Sequence, residues 1–228
     1  MNWLRRYFPI RYRFEDRHHV FILTYGRSGS TLLMNLINSS EGCCIRGENN
    51  GALHYIYQSY MSLVDAQKHH GKNSMREFSP WWGLQAIIPE EYAKKLARSF
   101  VEEVIRPGWH DKICGFKEIR YSSDKVPDLE GYVRFLSQIF PHASFIFNHR
   151  NLEDVAKSKW WASMPDAMPM LRNFENRLNQ FEESPSVFHF SYDKAIKERS
   201  HVQQLFEFLD LSYNKQAIDQ VFSERHSY

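Results

Sequence analysis

The segment Tyr25-Gly26-Arg27-Ser28-Gly29-Ser30-Thr31-Leu32 concentrates two glycines, one arginine and three hydroxyl side chains in a single turn. Glycines let the backbone curl and bring successive N–H groups close to a ligand, and a helix that begins there adds the positive end of its dipole. With the hydroxyls and a fixed guanidinium, the set makes a cradle for a phosphate-like anion. An ordinary strand-to-helix turn with a serine N-cap accounts for one hydroxyl and leaves the others unexplained. A Walker A loop, GxxxxGK[ST], requires lysine after its last glycine; Ser30 stands there, which argues against a nucleotide triphosphatase.

A second group lies in Phe147-Asn148-His149-Arg150-Asn151-Leu152-Glu153-Asp154-Val155-Ala156-Lys157-Ser158. Arg150 closes an apolar run and Ser158 follows two helical turns later, so both reach one anion if this segment folds back beside the first loop. The competing reading pairs Arg150 with Glu153 or Asp154. The run SFIFN ends without the aspartate that would hold magnesium, and the pairs His18-His19 and His69-His70 lack partner ligands at metal spacing. The residues therefore describe a nucleotide site without a metal.

Elements must carry these groups to one place. His19–Tyr25 is a β-branched and aromatic run, the mark of a buried strand, and Thr31–Asn38 has apolar residues at 32, 33, 36 and 37, a helical stripe. Helices are predicted over Leu53–Lys68, Pro89–Ile105, Leu129–Phe140, Asn151–Trp161, Met170–Glu182 and Val202–Leu209, and strands over Ile113–Phe116, Ser144–Asn148 and Val187–Ser191. Strands separated by helices imply an α/β fold: a central, mainly parallel sheet with helices on both faces, with the ligand beyond the C-terminal strand ends.

Taken together, Arg-Ser-Gly-Ser-Thr-Leu after the first strand and Arg-Asn-x-x-Asp-x-x-x-Ser after a later one resemble the two signatures of sulfotransferases that use 3′-phosphoadenosine 5′-phosphosulfate (PAPS). The likeness extends over about residues 19–210, since Phe190-Ser191-Tyr192-Asp193 and Leu205–Leu209 are similar to the family's C-terminal strand, tyrosine-containing turn and helix. It implies a three-layer P-loop-like fold in which Arg27, Ser28, Gly29, Ser30, Thr31 and Leu32 bind the 5′-phosphosulfate and Arg150 and Ser158 the 3′-phosphate. Tyr192 would line the adenine pocket, and 3′-phosphoadenosine 5′-phosphate (PAP) would be the product, with no metal. The sequence departs from many members in Gly26, where proline is common, and from the cytosolic small-phenol enzymes in Arg27, where they carry lysine. Their Arg-Lys-Gly loop has no counterpart before Tyr228. The arginine version is more similar to the carbohydrate and protein-tyrosine sulfotransferases.

Sulfuryl transfer to a hydroxyl needs a base for the acceptor proton and positive charge at the departing phosphate. Glu48, after the short run Cys44-Ile45, resembles in context the glutamate base of the arginine-type members; a solvated or capping role is the alternative. Lys117, in Gly115-Phe116-Lys117-Glu118-Ile119-Arg120, is placed to neutralise the transferred group together with Arg27, with Arg120 or Glu118 in related work, unless Lys117 simply pairs with Glu118. His54 and His149 are alternative bases. Trp81-Trp82 and Trp160-Trp161 suit stacking on sugar rings or burial in a core, with Trp160 the better core candidate.

The charge arithmetic sets bounds on all this. Lys plus Arg number 29 against 27 Asp plus Glu, a formal +2, too balanced for a protein that holds nucleic acid by bulk charge. No apolar run approaches the roughly 20 residues of a membrane span. Cys43, Cys44 and Cys114 make no CxxC pair or disulfide framework, which fits a reducing, cytoplasmic setting. One domain over 19–228 is expected, with 50–110 as the acceptor-recognition insert, behind a basic, aromatic N-terminal extension at 1–18 that carries no signal-peptide pattern. Arg5, Arg6, Arg11 and Arg13 beside Trp3, Tyr7 and Phe8 suit peripheral contact with an anionic membrane, or a tail packed on the domain. The expected partner is a hydroxyl-bearing small molecule or glycan. A kinase of P-loop topology and a non-catalytic nucleotide-binding module are the rival readings.

Overall fold

The computed structural model describes residues 12–74 and 77–224. The elements run β1 (His18–Leu23), α1 (Ser30–Asn38), β2 (Cys43–Arg46), α2 (Ala52–His70), α3 (Pro89–Phe100), β3 (Ile113–Glu118), α4 (Leu129–Ile139), β4 (Ala143–His149), α5 (Leu152–Ala156), α6 (Ala167–Leu178), β5 (Val187–Ser191), α7 (Tyr192–Lys197), α8 (Arg199–Phe208) and α9 (Lys215–Ser223). The five strands form one sheet in the order β2-β3-β1-β4-β5, with every neighbouring pair parallel.

Alternation along β1 divides the core. Val20 and Ile22 pack with Leu32, Leu33, Leu36 and Ile37 of α1 and with Val202, Leu205 and Ile218 of α8 and α9. Phe21 and Leu23 point the opposite way, into Phe116, Phe145 and Phe147 and the helices α2 to α6. Both faces are covered, so β1 reads as a continuous apolar run rather than an alternating one. This is the three-layer α/β architecture that the sequence implies.

The chain leaves β1 toward β2 on one side and leaves β4 toward β5 on the other, so adjacent β1 and β4 mark the switch in strand order. A crevice opens at such a point beyond the strand ends, where the loops after β1 and β4 lie. Edge strand β2 is held by the last residue of α1: Asn38 Nδ2 donates to the Ile45 carbonyl at 2.8 Å and the Ile45 N–H donates to Asn38 Oδ1 at 2.7 Å. That clamp satisfies part of the open edge and fixes the strand that leads to Glu48.

Several elements depart from the sequence reading. The helix expected over 151–161 ends at Ala156, and Lys159, at φ 44°, turns the chain into a short 3-10 segment, Lys159–Ser163. α6 begins at Ala167, ahead of Met170, and α7 and α9 are helices that the sequence pattern does not predict. Of the expected extension, Phe14 is buried in the core and buried Arg17 grips the carbonyls of Tyr12, Gly108 and Asp111. Residues 12–18 are thus part of the packed domain. Trp3, Arg5, Arg6, Tyr7, Phe8 and Arg11, and with them the membrane-contact expectation, lie outside the described residues.

Candidate active site

The loop between β1 and α1 is braced from below before it meets any ligand. Ser28 is buried, and its Oγ lies 2.7 Å from the Thr24 hydroxyl, which also lies 2.8 Å from the Asn148 carbonyl. Asn148 Nδ2 in turn donates to the Ser28 carbonyl at 3.1 Å. Ser28, expected among the hydroxyls that face an anion, instead points its side chain inward and joins the loop to β4. Trp161, 2% exposed, donates from Nε1 to the Gly26 carbonyl at 2.9 Å. Trp160 is the exposed member of the pair at 45%, stacked on Trp161 with centroids 4.2 Å apart, which reverses the core assignment expected for it.

Two glycines are dictated by what lies over them. Gly29, the N-cap of α1, has φ 82°, and a Cβ there would fall 2.1 Å from the Tyr192 ring. A Cβ on Gly26 would fall 2.6 Å from the Trp160 ring. Arg27, between them, also takes a left-handed φ of 68°, a conformation that costs a non-glycine residue roughly 1–2 kcal/mol. It is held there by Arg27 Nε donating to Ser158 Oγ at 2.9 Å and Arg150 Nη1 donating to the Arg27 carbonyl at 3.0 Å. The two signatures therefore meet by direct hydrogen bonds, and Arg150 bonds to the first loop rather than to Glu153 or Asp154.

Above this loop lies a cavity of about 480 Å³. Its floor is Arg27, Gly29, Ser30, Thr31 and Leu32, where the first N–H groups of α1 have no acceptor within the helix. Glu48, Lys117 and Ile119 form one wall; Arg150, Trp160 and Tyr192 form another. Ser28 and Ser158 stand behind the floor. Ile196, Phe222 and Glu224 also line it, supplied by or next to α7 and α9, and sequence reasoning missed them because it missed those helices. The signal for α9 exists in Asn214, whose side chain caps the helix, ahead of Ile218 and Val221 at helical spacing.

The Glu48 carboxylate sits between two cations. Lys117 Nζ donates to Oε1 at 2.5 Å and Arg120 Nη1 donates to Oε2 at 3.0 Å. Partial burial alone would raise its pKa, but these bonds and charges outweigh the burial and hold it below the ordinary carboxylate value. Lys117, 8% exposed at the end of β3, pairs with Glu48 rather than with Glu118. Glu118 is 1% exposed and fully committed: Oε2 accepts from the Asn49 and Gly51 N–H groups, and Oε1 accepts from the Ile119 N–H and from Arg120. It fixes the turn that delivers Glu48. His54 is buried edge-on to Tyr132, and burial lowers its pKa; neither it nor His149 lines the cavity.

The donors fit a ligand with phosphate-like oxygens. Arg150 Nε is buried with no hydrogen-bond partner, and buried donors are nearly always satisfied, so a further acceptor belongs beside it. The Arg150 guanidinium lies 4.5 Å over the Tyr192 ring, and both residues line the cavity.

Fold and site together define a P-loop-like α/β transferase whose cavity opens at the start of its first helix. The chain belongs to the Sulfotransferase family, whose sequence profile matches residues 19–221. Members of that family generally use PAPS as donor and release PAP. Among solved structures, the sulfotransferase domain from the curacin biosynthetic pathway is 13% identical, with a TM-score of 0.48 over 92% of this chain and 79% of that one. The sulfotransferase domain of the Synechococcus PCC 7002 olefin synthase is 14% identical, with a TM-score of 0.49 over 96% of this chain and 82% of that one. No curated protein matches the chain. Among the described residues no helix is long and apolar enough to cross a membrane.

Proposed function

We infer that the protein transfers a sulfuryl group from PAPS to a hydroxyl of a carbohydrate or glycolipid. The observation that carries this reading is that one cavity is lined both by Glu48, held by Lys117, and by Arg27 and the start of α1. PAPS, when bound, supplies the sulfuryl group on a phosphate leaving group. Arg27 and the α1 N–H groups hold the 5′ end, and Arg150 holds the 3′-phosphate, with Ser158 fixing Arg27 from behind. Glu48 takes the acceptor proton as the hydroxyl oxygen attacks sulfur; Lys117 supports the charge that moves onto the phosphate oxygen. Tyr192 lies beside the adenine. Exposed Trp160 at the rim offers an aromatic face to a sugar ring, which favours a carbohydrate acceptor.

The test pairs binding with turnover. PAP is expected to raise the melting temperature while ATP with magnesium does not, and labelled sulfate is expected to pass from PAPS to a glycan acceptor. Stabilisation by ATP with magnesium alone would support the kinase. PAP binding with no transfer to any glycan or glycolipid would support the non-catalytic module.

A further inference from the structure

Four polar side chains outside the proposed chemistry form a chain beneath Arg150. Tyr25 Oη lies 3.0 Å from Glu175 Oε2, Glu175 Oε1 lies 2.9 Å from His149 Nδ1, His149 Nε2 lies 2.7 Å from His189 Nδ1, and His189 Nε2 lies 2.6 Å from the Phe181 carbonyl. The near end is tied to the cavity wall: the Arg150 N–H donates to Tyr25 Oη at 3.1 Å, and the Arg150 carbonyl lies 3.1 Å from the same oxygen. The chain thus runs from the edge of β5, across β4 and α6, to the backbone of the residue assigned to the 3′-phosphate.

Counting hydrogens on this chain gives its charge. A carbonyl only accepts, so the His189 Nε2 end needs an N–H. An ionised carboxylate also only accepts, so the His149 Nδ1 end needs another, and the bond between the two rings needs a third. Two neutral imidazoles supply one N–H each. The four ring nitrogens must therefore carry one hydrogen more than neutral rings provide, and an imidazole keeps it in preference to a carboxyl because it is the stronger base.

We propose that the His149–His189 pair holds one added proton as a monocation against Glu175, and that this pair is a positioning device for Arg150 that makes donor binding depend on pH. The proposal rests on the assignment of Arg150 to the 3′-phosphate. When the proton leaves, one end of the chain becomes two acceptors face to face across 2.9 Å, and Glu175 swings away. Tyr25 then loses its contact with Glu175, and the hydroxyl that carries the Arg150 backbone is held from the Arg150 side alone. The charged group that contacts the pair is Glu175 from α6; Tyr25 after β1 joins it at the far carboxylate oxygen, and the Asp193 carboxylate from α7, which accepts from the Asn151 N–H at 2.6 Å, acts on Tyr25. His149 is 14% exposed and Glu175 23%, so the proton exchanges with solvent without unfolding.

Glu175→Gln separates this device from mere packing. Its amide supplies the missing hydrogen to His149 Nδ1 while its oxygen still accepts from Tyr25, so the chain closes with both rings neutral. Nitrogen-15 NMR of the imidazoles in the free protein is expected to show three ring N–H groups in the native pair near neutral pH and two in the Glu175→Gln protein. Calorimetry with PAP, whose phosphates are fully ionised above about pH 7, is expected to show about a tenfold loss of affinity by about pH 9 in the native protein. The Glu175→Gln protein is expected to lose none. Two N–H groups in the native pair near neutral pH, or parallel affinity curves for the two proteins, would overturn the proposal. Absence of PAP binding at every pH would instead overturn the donor assignment, and the hydrogen count in the free protein would still decide the charge of the pair.

Discussion

Lys117 and Arg120 hold Glu48 ionised, and in the proposed mechanism the same bonds oppose its work as a base until a bound anion draws Lys117 away. Two opposite effects follow from one substitution. Glu48→Gln is expected to cut the rate of sulfuryl transfer by about two to four orders of magnitude, the span of a lost general base. It is also expected to tighten PAP binding a fewfold, because Lys117 no longer answers to a carboxylate. Steady-state kinetics and calorimetry on the same preparation measure both, and equal losses in rate and binding would deny the base role. Gly29→Ala drives a Cβ into the Tyr192 ring at a φ only glycine tolerates well, and is expected to lower stability by about 1–3 kcal/mol and to weaken PAP binding. Adding Tyr192→Ala should recover part of the stability, the part due to collision rather than to φ. Residue types were legible from sequence: Arg27, Lys117 and Arg150, singled out at strand ends, do line one cavity, whereas Arg46 at the end of β2 bonds the Ile105 and Arg106 carbonyls instead. Which way Ser28 points, and which of Trp160 and Trp161 is buried, depends on one step of backbone rotation inside a tight loop, and no spacing rule reports that.

Strands and long helices were also legible, because β1, α1, α4 and β4 carry their own periodic patterns. Short elements were not. α7 spans only Tyr192–Lys197, too short to be stable on its propensity, and exists because Ala195 packs under α8. The segment after Ala156 has apolar residues suited to a continuing helix, yet the chain bends so that Trp161 reaches the Gly26 carbonyl across 135 residues. Contact at that sequence distance overrides local preference. Glu118 is the same lesson at the turn before α2: its bonds to the Asn49 and Gly51 N–H groups span 69 and 67 residues, and nothing nearby in sequence announces them. Glu118→Gln puts an amide N–H against donors, and is expected to lower stability by about 1–3 kcal/mol by thermal melting. Activity should fall further than global unfolding explains, since the turn that carries Glu48 loosens. Unchanged kinetics at a temperature where the variant is fully folded would show that Glu48 does not depend on that turn.

The whole molecule has a predictable weakness in acid. His19 is buried in β1 with Nε2 3.0 Å from the Phe14 carbonyl, and burial pushes its pKa down to about 4. The unfolded chain binds a proton at this site below about pH 6.5 while the folded chain does not until about pH 4, so stability falls as pH drops through that window. His19 alone contributes up to about 3 kcal/mol of this loss. Buried His54 and His201, also held low, act with the same sign. Denaturant melts at about pH 7 and about pH 4.5 should show His19→Gln losing clearly less stability on acidification than the native protein. Equal losses would assign the acid sensitivity elsewhere.

The bracing of the first loop by Asn148 has a kinetic side. Thr24 and Ser28 emerge early in synthesis, but their partner lies 124 and 120 residues downstream, in β4, which follows β2 and β3 along the chain. Long-range pairing of this kind is slow to form. The anion cradle therefore matures late, and a nascent chain released before Ala143 has the glycine turn without the support that shapes it. On the proposed function, PAP added during refolding should speed none of the early steps while trapping the last one, by mass action on the finished state alone.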